Sequence, residues 1–257
     1  GKIMFLDGVE KILLAILFYF AIVNTIDNLE LIKKLIFVAL ISMFISNIYG
    51  IYQEFVVGVH RVNAFSFALS YGGLIAIFLM FTIAYLLWSD IELKHKLTLL
   101  IMTIIMGMNL LFTRSRGAWI GFISGSFSLV WLRDKKWIFA LACLLIVLSL
   151  FLPQNFINRF KSSINITTNR SNLGRIALWK GSYLMIKDFP LTGVGAGNFE
   201  KYYIKEYKQP NTTATCHAHN NFLHFGAEAG LLGFLSFTFL MFSIIKNLFY
   251  GYKEINN

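Results

Sequence analysis

The chain has 257 residues, of which 57% are hydrophobic, 16% aromatic and only 14% charged, with a formal net charge of +10. That balance excludes an ordinary water-soluble domain and a disordered segment, and it predicts a multi-span membrane protein. Two cysteines, Cys143 within an apolar run and Cys216 in a loop, are too far apart in the predicted topology to bridge, which excludes a disulfide scaffold.

A helix needs about 20 apolar residues, with a range of ~17 to 25, to cross the hydrocarbon core. Runs of that kind are predicted at 11–27, 35–51, 62–88, 97–113, 117–132, 137–152 and 221–245. The ten-residue alternation of a membrane barrel is missing, and in lipid only helices and closed barrels satisfy their backbone. The predicted fold class is therefore all-α: a polytopic transmembrane helix bundle of about seven spans, forming a single membrane domain over 1–257. One long, partly helical connection, 153–220, is the only sizeable water-facing piece.

Charge in the short connections sets the orientation, because Lys and Arg mark the cytoplasmic side. Lys33, Lys34, Lys94, Lys96, Arg133, Lys135, Lys136, Lys246 and Lys253 fall on alternate connections, against Arg61, Arg114 and Arg116 on the others. The first face is assigned to the cytoplasm, with Trp88, Trp131 and Trp137 as its interfacial belt, and 153–220 is expected outside the cell. That loop carries Arg159, Lys161, Arg170, Arg175, Lys180, Lys187, Lys201, Lys205 and Lys208 against Asp188, Glu200 and Glu206. A basic extracytoplasmic loop calls for an anionic partner, although Lys201, Lys205 and Lys208 are spaced as the wet face of a helix.

Within the loop, Asn172-Leu173-Gly174 is expected to precede a helix with Ile176, Trp179, Tyr183 and Ile186 along one stripe. The helix should stop before Pro190 and place Arg175 in its first turn, where the amides also attract anions. The following Gly193-Val194-Gly195-Ala196-Gly197 has no Lys-Ser/Thr after it and no strand before it. It predicts tight turns with positive φ, not a nucleotide site, and no nucleic-acid partner is expected. Repeated glycines at 117, 121 and 125, and at 226, 230 and 233, predict close helix packing on the fifth and seventh spans. Three sequons, at Asn165, Asn169 and Asn211, are taken as chance matches in an Asn- and Thr-rich loop.

Thr-Arg-Ser-Arg-Gly-Ala at 113–118, Gly-Arg-Ile-Ala-Leu-Trp at 174–179, Phe-Pro-Leu-Thr-Gly-Val-Gly-Ala-Gly-Asn-Phe at 189–199, and His-Ala-His-Asn-Asn-Phe-Leu with Glu-Ala-Gly-Leu-Leu-Gly over 217–233 resemble, in order, the O-antigen ligase and polymerase family of bacterial membrane glycosyltransferases. Arg61 resembles the family's arginine ahead of an earlier span. Members usually carry more spans, and the chain starts at Gly1 without Met, so it is expected to be a piece of a longer protein.

The resemblance implies a multi-pass protein of the bacterial plasma (inner) membrane. It would move a glycan from undecaprenyl pyrophosphate to an acceptor hydroxyl on glycan, lipid or protein, at the outer membrane face, with inversion and without metal or other cofactor. His219 is implied as the catalytic base, since neutral imidazole accepts a proton near neutral pH. Arg116, Arg175, Arg61 and Arg114 are implied as pyrophosphate ligands, a role that suits the planar guanidinium fork; for Arg114 an anchoring role at the interface stays open.

His217, Asn220, Glu228 and Trp179 are the expected supporting residues. Asn220 is equally readable as a helix cap, Glu228 as a buried acid with a structural partner such as an arginine, and His224 as a packing residue. The competing class is a small-anion membrane transporter. Transporters place ionisable groups at the bilayer midplane, whereas here all but Glu228 gather at the outer mouth.

Overall fold

The computed structural model describes residues 2–150, 153–164, 169–210 and 217–256. It is 81% helical, with no strand among the described residues. The helices of the described residues are, in order, α1 (Lys2–Thr25), α2 (Leu29–Tyr52), α3 (Ala68–Trp88), α4 (Leu93–Phe112), α5 (Arg116–Arg133), α6 (Trp137–Leu150), α7 (Gln154–Ile164), α8 (Arg170–Asp188), α9 (Phe199–Tyr202) and α10 (Asn221–Asn256). Wide π-turns extend α2 over Gln53–Val57 and α9 over Tyr203–Tyr207.

Each of the seven predicted runs contains a helix, but the expected seven spans are not all carried by length and composition. Among the described residues, four segments are long and apolar enough to cross a membrane: Leu29–Val57, Ala68–Trp88, Leu93–Phe112 and Asn221–Glu254. In α1 the apolar stretch Leu13–Thr25 is short, α6 has 14 residues, and α5 is diluted by glycine and serine between an arginine at each end. The long segments expose Phe37, Val38, Phe81, Phe239 and Leu248, a surface suited to lipid contact. The chain divides into two compact units, 26–164 and 1–25 with 165–257.

In the unit 26–164, α3 packs on α4 and α5, α2 on α4, and α5 on α6 and α7. Tyr71, Ile75, Leu79, Met106, Leu110 and Trp119 form its buried centre. Polar links join its helices: Asn109 Nδ2 donates to the Asn47 carbonyl at 3.0 Å, and Thr103 Oγ1 to Thr82 Oγ1 at 3.3 Å. Such links have few competitors in lipid. Among the span-five glycines, only Gly125 meets a neighbour, Met80 of α3; a Cβ on Gly117 or Gly121 would find nothing within 4 Å.

The predicted span at 62–88 begins at Ala68 instead, and the physical reason is Gln53. Its side-chain oxygen accepts from the Asn63 and Ala64 amides at 3.2 and 2.9 Å, while its amide donates to Asn63 Oδ1 at 2.9 Å. The Val62 amide donates to the Phe112 carbonyl at 3.2 Å. Residues 58–67 are thereby held as a non-helical strap, with Ala64 at φ 47°.

In the other unit, α8 starts at Arg170, because Asn169 caps it by accepting from the Ser171 and Asn172 amides at 3.0 and 3.4 Å. Arg175 therefore lies in the second turn, not the first as predicted. The predicted stripe is also displaced: Ile176, Trp179 and Tyr183 are exposed, and the buried face is Leu178, Gly181, Ser182 and Met185. Gly181 leaves room for the Tyr203 ring, which a bulkier face would exclude. The helix ends at Asp188 as expected. Tyr207 donates to Asp188 Oδ2 at 2.7 Å; burial, reinforced by that carboxylate, pushes its phenol up to about 12. Lys201, Lys205 and Lys208 are exposed beside buried Tyr203 and Tyr207.

Gly230, at φ 67° and ψ −161°, breaks α10. The loop ahead of α9 fills the break: the Val194 and Gly195 amides donate to the Ala227 and Glu228 carbonyls at 2.8 and 2.9 Å, and the Leu231 amide donates to the Pro190 carbonyl at 2.7 Å. Gly193, Gly195 and Gly197 all take positive φ, as the tight-turn reading requires. A Cβ on Gly193 would overlap the backbone of Glu228 and Ala229, and one on Gly230 that of Leu191 and Pro190. These glycines admit a loop, where a helix-packing stripe was predicted; Gly226 faces Ile186 of α8 and Gly233 its own helix.

Cys143 is free. Cys216 and the sequons at Asn165 and Asn211 lie outside the described residues, and the third sequon asparagine, Asn169, is the cap of α8. Gly193→Ala is expected to destabilise the detergent-solubilised protein by about 1–3 kcal/mol through overpacking, measured by thermal unfolding. Gly121→Ala should change stability by less than about 0.5 kcal/mol.

Candidate functional site

Helix α4 ends at Phe112 and α5 starts at Arg116, and the corner between them is built by hydrogen bonds. Thr113 Oγ1 donates to the Leu110 carbonyl at 2.7 Å and accepts from the Ser115 amide at 3.3 Å. Trp119 Nε1 also reaches the Leu110 carbonyl, at 2.7 Å. Arg114 sits at the apex with φ 50°, a left-handed conformation that costs a non-glycine residue about 1–2 kcal/mol.

Two further arginines hold that corner. Arg61 Nε donates to the Thr113 carbonyl at 3.1 Å, and Arg159 Nε, from α7, donates to the Arg114 carbonyl at 2.7 Å. Burial and the charges of Arg61, Arg116 and Arg114 hold the Arg159 guanidinium below its ordinary pKa. The guanidinium groups of Arg61, Arg114 and Arg116 thus stand close enough to act on that of Arg159, a field that an anion would relieve. Arg114 also approaches Glu54 Oε1 at 3.8 Å, and its Nη1 meets His60 Nδ1 at 2.6 Å.

The second constellation precedes α10. Asn220 Oδ1 accepts from the Leu223 amide at 3.3 Å, so Asn220 caps the helix. His219 lies just before it at φ 51°. Ala64, Arg114 and His219 are the positive-φ residues other than glycine among the described residues. Strain of this kind persists where surrounding structure over-determines it, often at functional sites.

His217 and His219 are exposed, with ring centroids 4.0 Å apart. Partial desolvation of the His219 ring, then the nearby His217 and the Arg175 charge, keep its pKa below the ordinary 6.5. Its imidazole is therefore neutral at neutral pH, the form that accepts a proton.

Of the expected site residues, Arg61, Arg114 and Arg116 share the corner, and Arg175, His217, His219 and Asn220 belong to the second constellation. Glu228 has no arginine partner in the described interactions: its Oε1 accepts from the Phe199 amide at 3.2 Å and its Oε2 lies 3.8 Å from His224 Nε2. Trp179 stands partly exposed on α8, one turn beyond Arg175. Arg159, Glu54 and His60 were not singled out in the sequence; Arg159 was submerged among the loop's other basic residues. Among the described residues, no group of three or more His, Cys, Asp or Glu side chains is arranged to hold a metal ion.

A helical protein whose apolar segments cross a membrane several times, with cationic and imidazole groups at helix ends, defines the class. The family model described as O-antigen ligase matches residues 101–238, more than half of the chain, and the chain belongs to the O-antigen ligase family. A relative from Haemophilus influenzae, described as an uncharacterized protein, is 24% identical over 275 residues, covering 97% of this chain and 68% of its own length. No solved structure matches the chain. Family membership makes the protein a multi-pass, ligase- or polymerase-like glycosyltransferase of polysaccharide biosynthesis.

Inorganic pyrophosphate is expected to raise the thermal midpoint of the purified protein through the arginine corner. Arg159→Gln should weaken that binding about tenfold or more, the worth of one charge-assisted hydrogen bond, as read from the concentration dependence of the midpoint. Equal stabilisation of both proteins would contradict the assignment.

Proposed function

We propose that the protein transfers a glycan from an undecaprenyl-pyrophosphate carrier to an acceptor hydroxyl on the extracytoplasmic face of the bacterial plasma membrane, with residues 153–220 outside the cell. The observation that carries this reading is the arginine corner. Pyrophosphate is a leaving group of high charge density, and planar guanidinium groups bind phosphate oxygens in pairs. In the proposal, Arg61, Arg114, Arg116 and Arg175 hold the pyrophosphate and stabilise the charge it gains as the glycosyl bond breaks. This supplies the cationic field without a metal ion.

His219 acts as the general base. Its imidazole takes the proton of the acceptor hydroxyl while that oxygen attacks the anomeric carbon from the side opposite the pyrophosphate, inverting the centre. His217 and Asn220 support the base, Asn220 by fixing the start of α10 and so the orientation of the residue before it. Trp179 is assigned to the acceptor side, where an aromatic face suits a sugar. The transporter reading draws on breaks in membrane helices; the break at Gly230 instead has its backbone groups bonded to the 190–195 loop.

The test is glycan transfer in lipid vesicles containing an undecaprenyl-pyrophosphate-linked oligosaccharide and candidate acceptors, in EDTA. Transfer should persist for the wild type and fall by about 10²–10⁴ in His219→Ala, the range for loss of a general base; Arg175→Ala should also lose transfer. Because neutral His219 is the active form and its pKa lies below the ordinary 6.5, kcat/KM should be flat through neutral pH. It should fall only as pH drops through that lowered value. A midpoint above 6.5, or undiminished transfer by His219→Ala, would overturn the assignment.

A further inference from the structure

One turn below the exposed histidines, α10 carries two ionisable groups to which the proposed transfer gives no task. His224 Nε2 faces Glu228 Oε2 at 3.8 Å, an i, i+4 pair on one face of the helix. Phe199 covers it, with ring centroids 5.1 Å apart, and the same residue's amide donates to Glu228 Oε1 at 3.2 Å. His224 Nδ1 is buried with no hydrogen-bond partner. Leaving a buried polar atom unpaired is destabilising, so its persistence needs a reason.

The His217 ring supplies a connection: its centroid lies 6.4 Å from that of His224, edge to face, and 4.0 Å from that of His219. His219, His217, His224 and Glu228 thus run from the exposed turn into the helix. Among the described residues, Arg175 of α8 also acts on this set, at the His219 end; α9 contributes the ring and amide of Phe199.

We infer that the His224–Glu228 pair receives the proton that His219 removes from the acceptor, with His217 as the intermediate carrier. The inference rests on His219 being the base. As the acceptor oxygen bonds to the anomeric carbon, the carbon–oxygen bond to the pyrophosphate breaks, and its electron pair leaves on the phosphate oxygen. The acceptor proton goes to His219, then to His217, then to Nδ1 of His224. Glu228 holds the Nε2–H tautomer that leaves Nδ1 open to accept, and its carboxylate stabilises the imidazolium that results, as the carboxylate of a catalytic triad does.

A buried receiver is useful because a bound acceptor covers the rings of His217 and His219 and keeps water from taking the proton there. After product leaves, the proton returns to solvent by the same exposed rings. Catalytic hydrogen bonds are commonly long in the unliganded enzyme and tighten when substrate binds, which these ring separations require. His224 and Glu228 are positioning residues here, since they touch the reacting atoms only through His217 and His219.

His224→Gln and Glu228→Gln test this. Glu228→Gln keeps the side-chain oxygen that accepts from Phe199 and removes only the charge. In both variants kcat for transfer should fall about tenfold, less than the 10²–10⁴ expected for the base itself, with KM for the donor unchanged. His224→Ala should show the same deficit and recover with added imidazole, which enters the vacated side-chain pocket before the acceptor binds and takes the proton in place of His224, a recovery that misfolding would not allow. Wild-type kcat in both Gln variants, or a His224→Ala deficit that imidazole does not reduce, would overturn the relay. If His219→Ala is inactive while both Gln variants run at the wild-type rate, the relay alone fails; full activity in His219→Ala would remove both readings.

Discussion

Inside a bilayer every backbone N–H and C=O needs a partner from the protein, so a membrane chain can leave the helix only where something else supplies those bonds. Several of the places where the described residues do so are those to which the proposal assigns the chemistry. At 113–115 the partners are the Thr113 hydroxyl and the guanidinium groups of Arg61 and Arg159. At 58–67 the partner is the Gln53 side chain, before α10 it is Asn220, and at Gly230 it is a glycine-rich loop. Pairing the backbone and positioning the reactive groups are the same act at each of these sites.

The arginine corner shows how this turns into electrostatics. Arg61 and Arg159 each spend one N–H on a main-chain carbonyl, so their charge is fixed in place beside Arg114 and Arg116 before any ligand arrives. Fixed charge binds an anion with little reorganisation and stabilises developing negative charge most effectively. Burial first, and then the neighbouring guanidinium charges, hold Arg159 below its ordinary pKa. The histidine turn works with the opposite sign: partial desolvation and nearby cationic charge keep His219 neutral, as a base must be. One environment concentrates positive charge and the other prevents it from forming on the imidazole.

Much of the helical architecture was legible because apolar run length is a coarse property that tolerates boundary errors. The start of α3 was not, because Val62 to Phe67 reads as the continuation of an apolar span, and what holds it out of the helix is remote in sequence: the Gln53 side chain and the Phe112 carbonyl. The buried stripe of α8 was misread for a related reason: Gly181 and Ser182 look like surface residues in sequence, yet their small size is what lets Tyr203 pack there. The glycines of α10 signalled close approach correctly but not what approaches. His219, Arg114, Arg116 and Arg175 were legible through ordered motifs. Glu228 was legible as a buried acid, but with a partner such as an arginine expected where His224 stands; Arg159 was not, since its place at the corner depends on neighbours remote in sequence, which a local pattern does not record.

The central claim is that the left-handed corner at Arg114 holds the pyrophosphate of the donor. It is tested most directly by photo-cross-linking, with a hydrolysis-resistant undecaprenyl donor analogue bearing a photoreactive group on its pyrophosphate bridge and the labelled peptides identified by mass spectrometry. The account predicts label on the peptides containing Arg61, Arg114 to Arg116 and Arg159, competed away by unlabelled pyrophosphate. Competable label that avoids all three peptides would contradict it.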